Sequence, residues 1–147
     1  MIAKESFLVL ERFDILKSSC QCEFDDDQNV DLLDITQKYP VDIDFKIQTD
    51  NKGSFLIFVK VDINAGDKIK SGYSISAEGV GLFSLSQEAP QDKVQGYVNS
   101  GVNICITNLR AYINTMTSFY PLGRFSFHSI DMPALFKSKE EEMNSKG

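Results

Sequence analysis

Few side chains in this sequence are of a type and spacing that could do chemistry. The only histidine, His128, has no serine or cysteine at a spacing that would mark a nucleophile held by a base, so a structural role is its simplest reading. Three cysteines are present, Cys20, Cys22 and Cys105. The gap in Cys20-Gln21-Cys22 is one residue shorter than structural zinc sites use, and no further Cys or His stands near to complete a ligand set. On a strand these two thiols would share a face and pack. The acidic run Glu23-Phe24-Asp25-Asp26-Asp27 lacks the glycine turn and the closing glutamate of a calcium loop and reads as a solvated loop, open to a partner contact. Gly79-Val80-Gly81 lacks the third glycine and the strand-to-helix setting of a nucleotide loop. No catalytic constellation, metal set or cofactor motif emerges, and the expectation is a binding protein, not an enzyme.

The segment Phe119-Tyr120-Pro121-Leu122-Gly123-Arg124-Phe125-Ser126-Phe127 is different, because aromatic rings crowd a connection where polar turn residues are usual. Two readings stand side by side. The rings plug the space between helices and sheet, or they line an apolar groove that accepts side chains of another polypeptide. A third, from another class, is a small-molecule pocket around Arg124 and His128.

Length and charge bound these readings. A chain of 147 residues fits one domain and can bury roughly two-thirds of its unfolded surface. We expect a single domain over 1–147, with an ordered core over about 6–142 and a frayed tail from 143. The net charge of -6 and the lack of any long basic run argue against nucleic acid as partner. Phe7-Leu8-Val9-Leu10 is too short for a signal-peptide core and is flanked by Glu5, Glu11 and Arg12, and no apolar run approaches a membrane span. Reduced thiols and a cytoplasmic location without membrane insertion are the matching expectations. The 11 Phe and 5 Tyr, with no Trp, exceed what a core needs and suggest a contact surface.

The elements that must position these groups read as strands first and helices last. Partial alternation from Ser6 to Phe24 predicts one long strand or two halves joined by a bend, followed by an acidic loop with a turn near Leu32-Leu33. Val41, Ile43, Phe45 and Ile47 alternate with polar residues, and Phe55, Ile57, Val59, Val61 and Ile63 do the same beyond Asp50-Asn51-Lys52-Gly53, which predicts a hairpin. Ile69 to Leu85 returns as another strand, with the glycines at 79 and 81 marking a bulge or a close backbone approach. After Ala89-Pro90 the period becomes helical. Val102, Cys105, Leu109, Tyr112, Ile113 and Met116 predict a helix from about Asn103, its cap, to Ser118, with a shorter helix over Gln91 to Val98 broken off near Ser100-Gly101. Asp131 and Pro133 predict the start of a last helix through Ala134-Leu135-Phe136. The fold class is therefore α+β, with helices on an antiparallel sheet.

Several of these segments resemble the SecB export chaperones. Gly81-Leu82-Phe83-Ser84-Leu85 is similar to that family's glycine-hydrophobe-Phe-Ser-hydrophobe segment. Asn103-Ile104, Arg110, Ile113-Asn114-Thr115-Met116 and Pro121 resemble its long helix and loop, and Ile130 to Phe136 resembles the approach to its last helix. The likeness is densest from Gly79 to Phe136. It implies a four-stranded antiparallel sheet carrying one long and one short C-terminal helix, assembled as a dimer of dimers that holds unfolded or precursor polypeptides without ATP or cofactor. By the resemblance, client grooves would use Val41, Ile43 and Phe45 with Phe119, Tyr120, Leu122, Phe125, Phe127, Met132, Leu135 and Phe136. Ile75, Ala77 and Gly79, with Leu109, Tyr112 and Met116, would lie at subunit contacts. Export members hand cargo to the SecA motor through acidic groups on the sheet. Here Ser76 stands where such a Glu is expected, and Lys17 or Gln21 replaces acids of the first strand, leaving Glu23 and Asp25 as the substitutes. Both an export role and a role as antitoxin-associated chaperone with a dedicated client follow from the resemblance.

Overall fold

The period-two alternation folds into four antiparallel strands in the computed structural model, which describes residues 1–23, 39–50, 52–66 and 71–146. They are β1 (Leu8–Glu23), β2 (Val41–Thr49), β3 (Ser54–Ile63) and β4 (Gly72–Leu85), in the spatial order β1-β4-β3-β2. A single-turn helix over Gln91–Lys93 leads into α1 (Val94–Met116), another over Thr117–Phe119 follows it, and α2 (Met132–Ser145) ends the chain. The architecture is the expected α+β one, a four-stranded antiparallel sheet with one long and one short C-terminal helix.

Turn chemistry sets the β2–β3 register. Asp50 Oδ1 accepts from the N–H groups of Lys52 and Ser54 at 2.8 and 3.2 Å, and Gly53 takes a φ of 84° that a side chain would resist. In β1 the incomplete alternation has a visible cause, since the ladder to β4 slips between Leu10 and Arg12 and again between Ile15 and Lys17. The strand stays continuous and bends, and Leu16 is left 53% exposed.

One sheet face holds the core. Phe55, Ile57, Val59, Val61 and Ile63 of β3 stand beside Tyr73, Ile75, Ala77 and Phe83 of β4, all buried. Onto them α1 presses Val102, Cys105, Ile106, Leu109 and Ile113. Each fully buried Ile or Leu there contributes about 1.5–3 kcal/mol relative to exposure.

Three helical expectations change. α1 is unbroken through Ser100-Gly101, and Asn103 is an exposed residue inside it, not its cap. Gly101 serves approach: a Cβ there would sit 2.8 Å from Ile57 Cδ1, so the missing side chain lets the helix lie close to the sheet. Packing won over the glycine's weak helix preference. α2 does start where Asp131 accepts from Ala134 N–H at 3.0 Å, with Pro133 in its first turn, but it continues to Ser145, past Met143. β4 begins at Gly72, and residues 67–70 lie outside the described residues. So do Asp25, the rest of its acidic run and the turn near Leu32.

The subunit-contact expectation needs correction for four residues. Ile75, Ala77 and Gly79 stand on the helix-covered face of a central strand, and Leu109, on the sheet-facing stripe of α1, is 0% exposed, so these groups have no surface to offer another copy. Helical and strand periodicity placed them on apolar faces, and the protomer uses those faces itself. Tyr112 and Met116 keep part of their surface. Among the described residues no helix is long and apolar enough to cross a membrane.

The glycines separate packing from propensity. A Cβ on Gly81 would meet Cys105 Sγ at 2.6 Å and the Phe83 ring at 2.8 Å, whereas one on Gly96 meets nothing within 4 Å. Gly81→Val is expected to lower the unfolding free energy by about 1–3 kcal/mol in urea titrations. Gly96→Ala should raise it by about 0.5–1 kcal/mol.

Candidate functional site

The aromatic loop is tied down along its length. Thr117, buried at the end of α1, donates its hydroxyl to Ile113 O at 2.8 Å and accepts from Phe125 N–H at 2.9 Å. Asn114 Nδ2 donates to Ser126 Oγ at 2.9 Å. Arg110 donates to the carbonyls of Phe127 and His128 at 3.2 and 3.3 Å, with its guanidinium 4.6 Å from the Phe127 ring centre. Across the sheet, the Tyr120 hydroxyl donates to Cys20 O at 3.2 Å, and the Tyr73 hydroxyl donates to Gly123 O.

These ties decide which rings are available. Phe127 is only 3% exposed and belongs to the core, which corrects its expected place in a client groove. Phe125 is half-buried, its ring 5.5 Å from Tyr39 and 5.8 Å from Tyr73 in tilted and edge contacts. Tyr120 adds an edge contact to Tyr73 at 6.1 Å. The loop rings thus fill the space over the start of β4 and the end of β1. Phe119 is the opposite case, 97% exposed and outside the packed cluster. Leu122 is partly buried beside that cluster.

A second group lies along β2. Val41 and Ile43 are partly exposed and Phe45 is buried on the helix-covered face. Met132, Leu135 and Phe136 of α2 are partly buried against the core, and no α2 residue is fully buried. Phe136 meets Phe45 edge-on at 5.7 Å, and Lys139 Nζ reaches Asp44 Oδ1 at 2.7 Å. The structure therefore joins Phe45 of β2 to Phe136 of α2, packs Val41, Ile43, Met132 and Leu135 against the core, and leaves Phe119 outside it.

Tyr39, Tyr73, Thr117, Asp44 and Lys139 were not singled out in the sequence, although each supports one of these groups. Tyr39-Pro40 just ahead of a strand and Tyr73 at the first inward position of another are signals of a sort. Nothing local marks Asp44 and Lys139 as partners, since they meet across 95 residues.

Among the described residues no helix covers the other sheet face. Leu16, Leu56, Phe58, Val80 and Leu82 lie on it among charged groups. Two shallow depressions of about 190 and 180 Å³ occur there, one floored by Leu16 and Phe58 and the other by Leu56 and Leu82. Neither touches the aromatic loop, and charged or polar residues share both linings, Asp44, Lys46, Lys60 and Glu78 in the first and Gln48, Thr49, Asp50 and Ser54 in the second. Two acids at the centre of this face have basic neighbours: Glu78 lies 3.7 Å from Lys17 and 3.8 Å from Lys60, and Asp62 lies 3.7 Å from Lys60 and accepts from Ser76 Oγ at 2.8 Å. Glu23 is exposed at the end of β1, and its intended companion Asp25 lies outside the described residues.

The titratable groups show no activated nucleophile among the described residues. Burial pushes the Cys105 thiol up to about 12, and burial also raises Cys20 and Cys22, which disfavours thiolate. His128 Nδ1 lies 2.9 Å from Ser129 O, the carbonyl of its own neighbour. Among the described residues no group of three or more His, Cys, Asp or Glu side chains is placed to hold a metal ion.

No protein-family model matches the chain, and no curated protein is similar to it in sequence. Solved structures are similar in fold. The SecB-like chaperone of Mycobacterium tuberculosis, in complex with a peptide from the HigA1 antitoxin, superposes with a TM-score of 0.56 at 10% identity, covering 84% of this chain and 91% of that one. A protein of unknown function from Streptococcus agalactiae gives 0.47 at 10% identity, over 84% of this chain and 97% of that one. The first of these carries the conclusion that the chain has a SecB-like fold.

Two outcomes follow from the clamped loop. Thr117→Val strands the Phe125 N–H and should cost about 1–3 kcal/mol in urea unfolding, more than a surface threonine change such as Thr115→Val. Tyr73, raised to about 12 chiefly by burial and then by the nearby Cys22 and Cys20, is an acid whose neutral form the fold favours. Its stabilisation is complete below the ordinary tyrosine value of about 10 and is lost as pH climbs from there toward 12. Urea midpoints should fall across that window, and Tyr73→Phe should flatten the fall.

Proposed function

We propose that this protein is a chaperone that holds segments of another polypeptide without ATP. The observation that carries the reading is a SecB-like sheet and helix pair in which Met132, Leu135 and Phe136 of α2 keep exposed surface and Phe136 meets Phe45 of the edge strand β2. An apolar strip along a strand edge suits an extended chain better than a small molecule, for which an enclosed cavity with converging polar groups would be needed. Holding requires no covalent step: by binding only the unfolded client, the protein shifts its folding equilibrium by mass action.

Among clients, a dedicated partner of the antitoxin kind fits better than cargo destined for the SecA motor. The similar mycobacterial chaperone was solved with an antitoxin peptide. On the open sheet face Glu78 and Asp62 lie against Lys17 and Lys60, and Ser76, standing where the export members' Glu is expected, is bonded to Asp62, so the centre of that face offers a motor little free acidic surface. The proposal includes a cytoplasmic setting and a homo-oligomer, a dimer of dimers, in which several weak sites on one client chain multiply affinity. Tyr112 and Met116 are the remaining interface candidates. The client strip consists of Val41, Ile43, Phe45, Met132, Leu135 and Phe136, while Tyr120, Leu122 and Phe125 support it from the loop and Phe119 stands apart as a free ring.

Stoichiometric protein should slow aggregation of an unrelated unfolded protein, and Phe136→Asp should weaken that holding by about tenfold in affinity, with far-UV circular dichroism unchanged. Unimpaired aggregation in the presence of the wild-type chain would refute the reading. A monomer by light scattering would remove the multi-site part alone.

A further inference from the structure

Bonding at the two ends of β2 reveals which backbone groups it leaves outward. Asn64 N–H donates to Pro40 O at 2.9 Å and Asp50 N–H to Ser54 O at 3.3 Å, with the register Phe45↔Val59 midway between. Antiparallel bonding alternates, so the even-numbered residues bond β3, and Val41, Ile43, Phe45 and Ile47 turn their N–H and C=O groups away from the sheet. The same residues carry side chains on the helix-covered face, where Phe45 meets Phe136 of α2. One row therefore offers both halves of strand recognition: a free backbone edge and an apolar surface under it.

That edge is closed at one point. Phe45 N–H donates to its neighbour's carboxylate, Asp44 Oδ1, at 2.8 Å, and the same oxygen accepts from Lys139 Nζ of α2 at 2.7 Å. The Lys139 ammonium also lies 5.6 Å from the Phe45 ring centre, and Phe136, one turn earlier, meets that ring edge-on. Burial alone would raise the Asp44 carboxyl, but the hydrogen bonds from Lys139 and Phe45 N–H outweigh it and hold the group below its usual range, so it is charged at neutral pH. Charged groups are a common guard on exposed strand edges. This guard is light, because Asp44 is more than half exposed and α2 buries no residue of its own.

We infer that the Asp44–Lys139 clasp gates a strand-addition site on the outer edge of β2, whose ligand is an extended polypeptide segment with apolar residues alternating with basic ones. The inference rests on the chaperone reading and adds the mode of binding, its gate and the chemistry of the client. The outward row of the open face reads Asp42, Asp44, Lys46. An added strand is matched to it by two basic residues and one acidic residue at alternate positions, one of the basic groups taking over Asp44 from Lys139. Its intervening apolar side chains lie toward Met132 and Phe136. As the clasp opens, Phe45 N–H passes from the Asp44 carboxylate to a client carbonyl, so the donor stays satisfied.

The test uses the full chain and a fluorescein-labelled peptide of about nine residues, alternating valine with two lysines and one glutamate. A second peptide of the same sequence is N-methylated at alternate amides. Lys139→Met keeps the aliphatic stem over Phe45 and removes the charge; Asp44→Ala opens the clasp from the strand side without altering α2. Fluorescence anisotropy is expected to show both variants binding the plain peptide about three- to tenfold more tightly than wild type, the N-methylated peptide binding none of them, and hydrogen exchange slowing at Ile43 and Ile47. Equal affinity for wild type and both variants, or equal binding of the methylated peptide, overturns the gate or the strand addition and leaves the chaperone reading standing. A variant that dimerises through β2 without peptide assigns the edge to a second copy and overturns the proposal. Binding of neither peptide by a chain that still suppresses aggregation sinks the strand-addition site alone; a chain that does neither loses both readings.

Discussion

The close approach of α1 to the β3–β4 seam is the constraint on which the other contacts depend. Gly81 leaves room for Cys105, and Gly101 leaves room for Ile57, so backbone meets side chain from both directions. That fit lets Val102, Ile106, Leu109 and Ile113 reach the central strands and exclude water from the buried residues of β3 and β4. It also sets the position of the last turn of α1, from which Thr117 and Asn114 hold the loop.

Covering one face of a sheet with one long helix has consequences elsewhere. The central strands are paired on both sides and hold most of the buried residues, while β1 and β2 remain edges. At the start of β4 and the end of β1, tyrosines and phenylalanines close the gap that α1 does not reach, with hydroxyl and guanidinium bonds to loop carbonyls satisfying the backbone there. Among the described residues the β2 edge has a lighter closure, a ring contact, an ion pair and the Lys139 ammonium over the Phe45 ring, all from α2. The same architecture thus contains a filled aromatic cluster and a loosely guarded apolar strip, and the aromatic richness of the loop mostly serves the first.

The fold likeness to the mycobacterial SecB-like chaperone at 10% identity is intelligible on the same terms. What such a fold needs is a pair of central strands with apolar residues at every second position, small residues where the helix crosses, and a cap that starts the last helix. Many sequences satisfy those conditions. The charges on the open face and at the β2 edge are under no such constraint, so they are where members of one fold can differ in partner.

By itself the sequence determined the elements whose cause is local. The alternation from Val41 to Ile63 around a polar turn dictates the β2–β3 hairpin, the three-and-four spacing from Val102 to Met116 dictates a helix with one buried stripe, and Asp131 with Pro133 dictates the start of α2. Tertiary structure alone decided how faces were used. Gly101 reads locally as a break, yet it is a contact; Ile75, Ala77 and Leu109 read as apolar surface for a partner, yet they are the protomer's own core. Phe119, Phe125 and Phe127 are alike in a linear reading and end as a solvent-exposed ring, a half-buried prop and a core residue. The physical reason is range. Periodicity and capping act over a few residues, whereas burial and the Asp44–Lys139 ion pair depend on which distant segment arrives opposite, and no local pattern encodes that arrival.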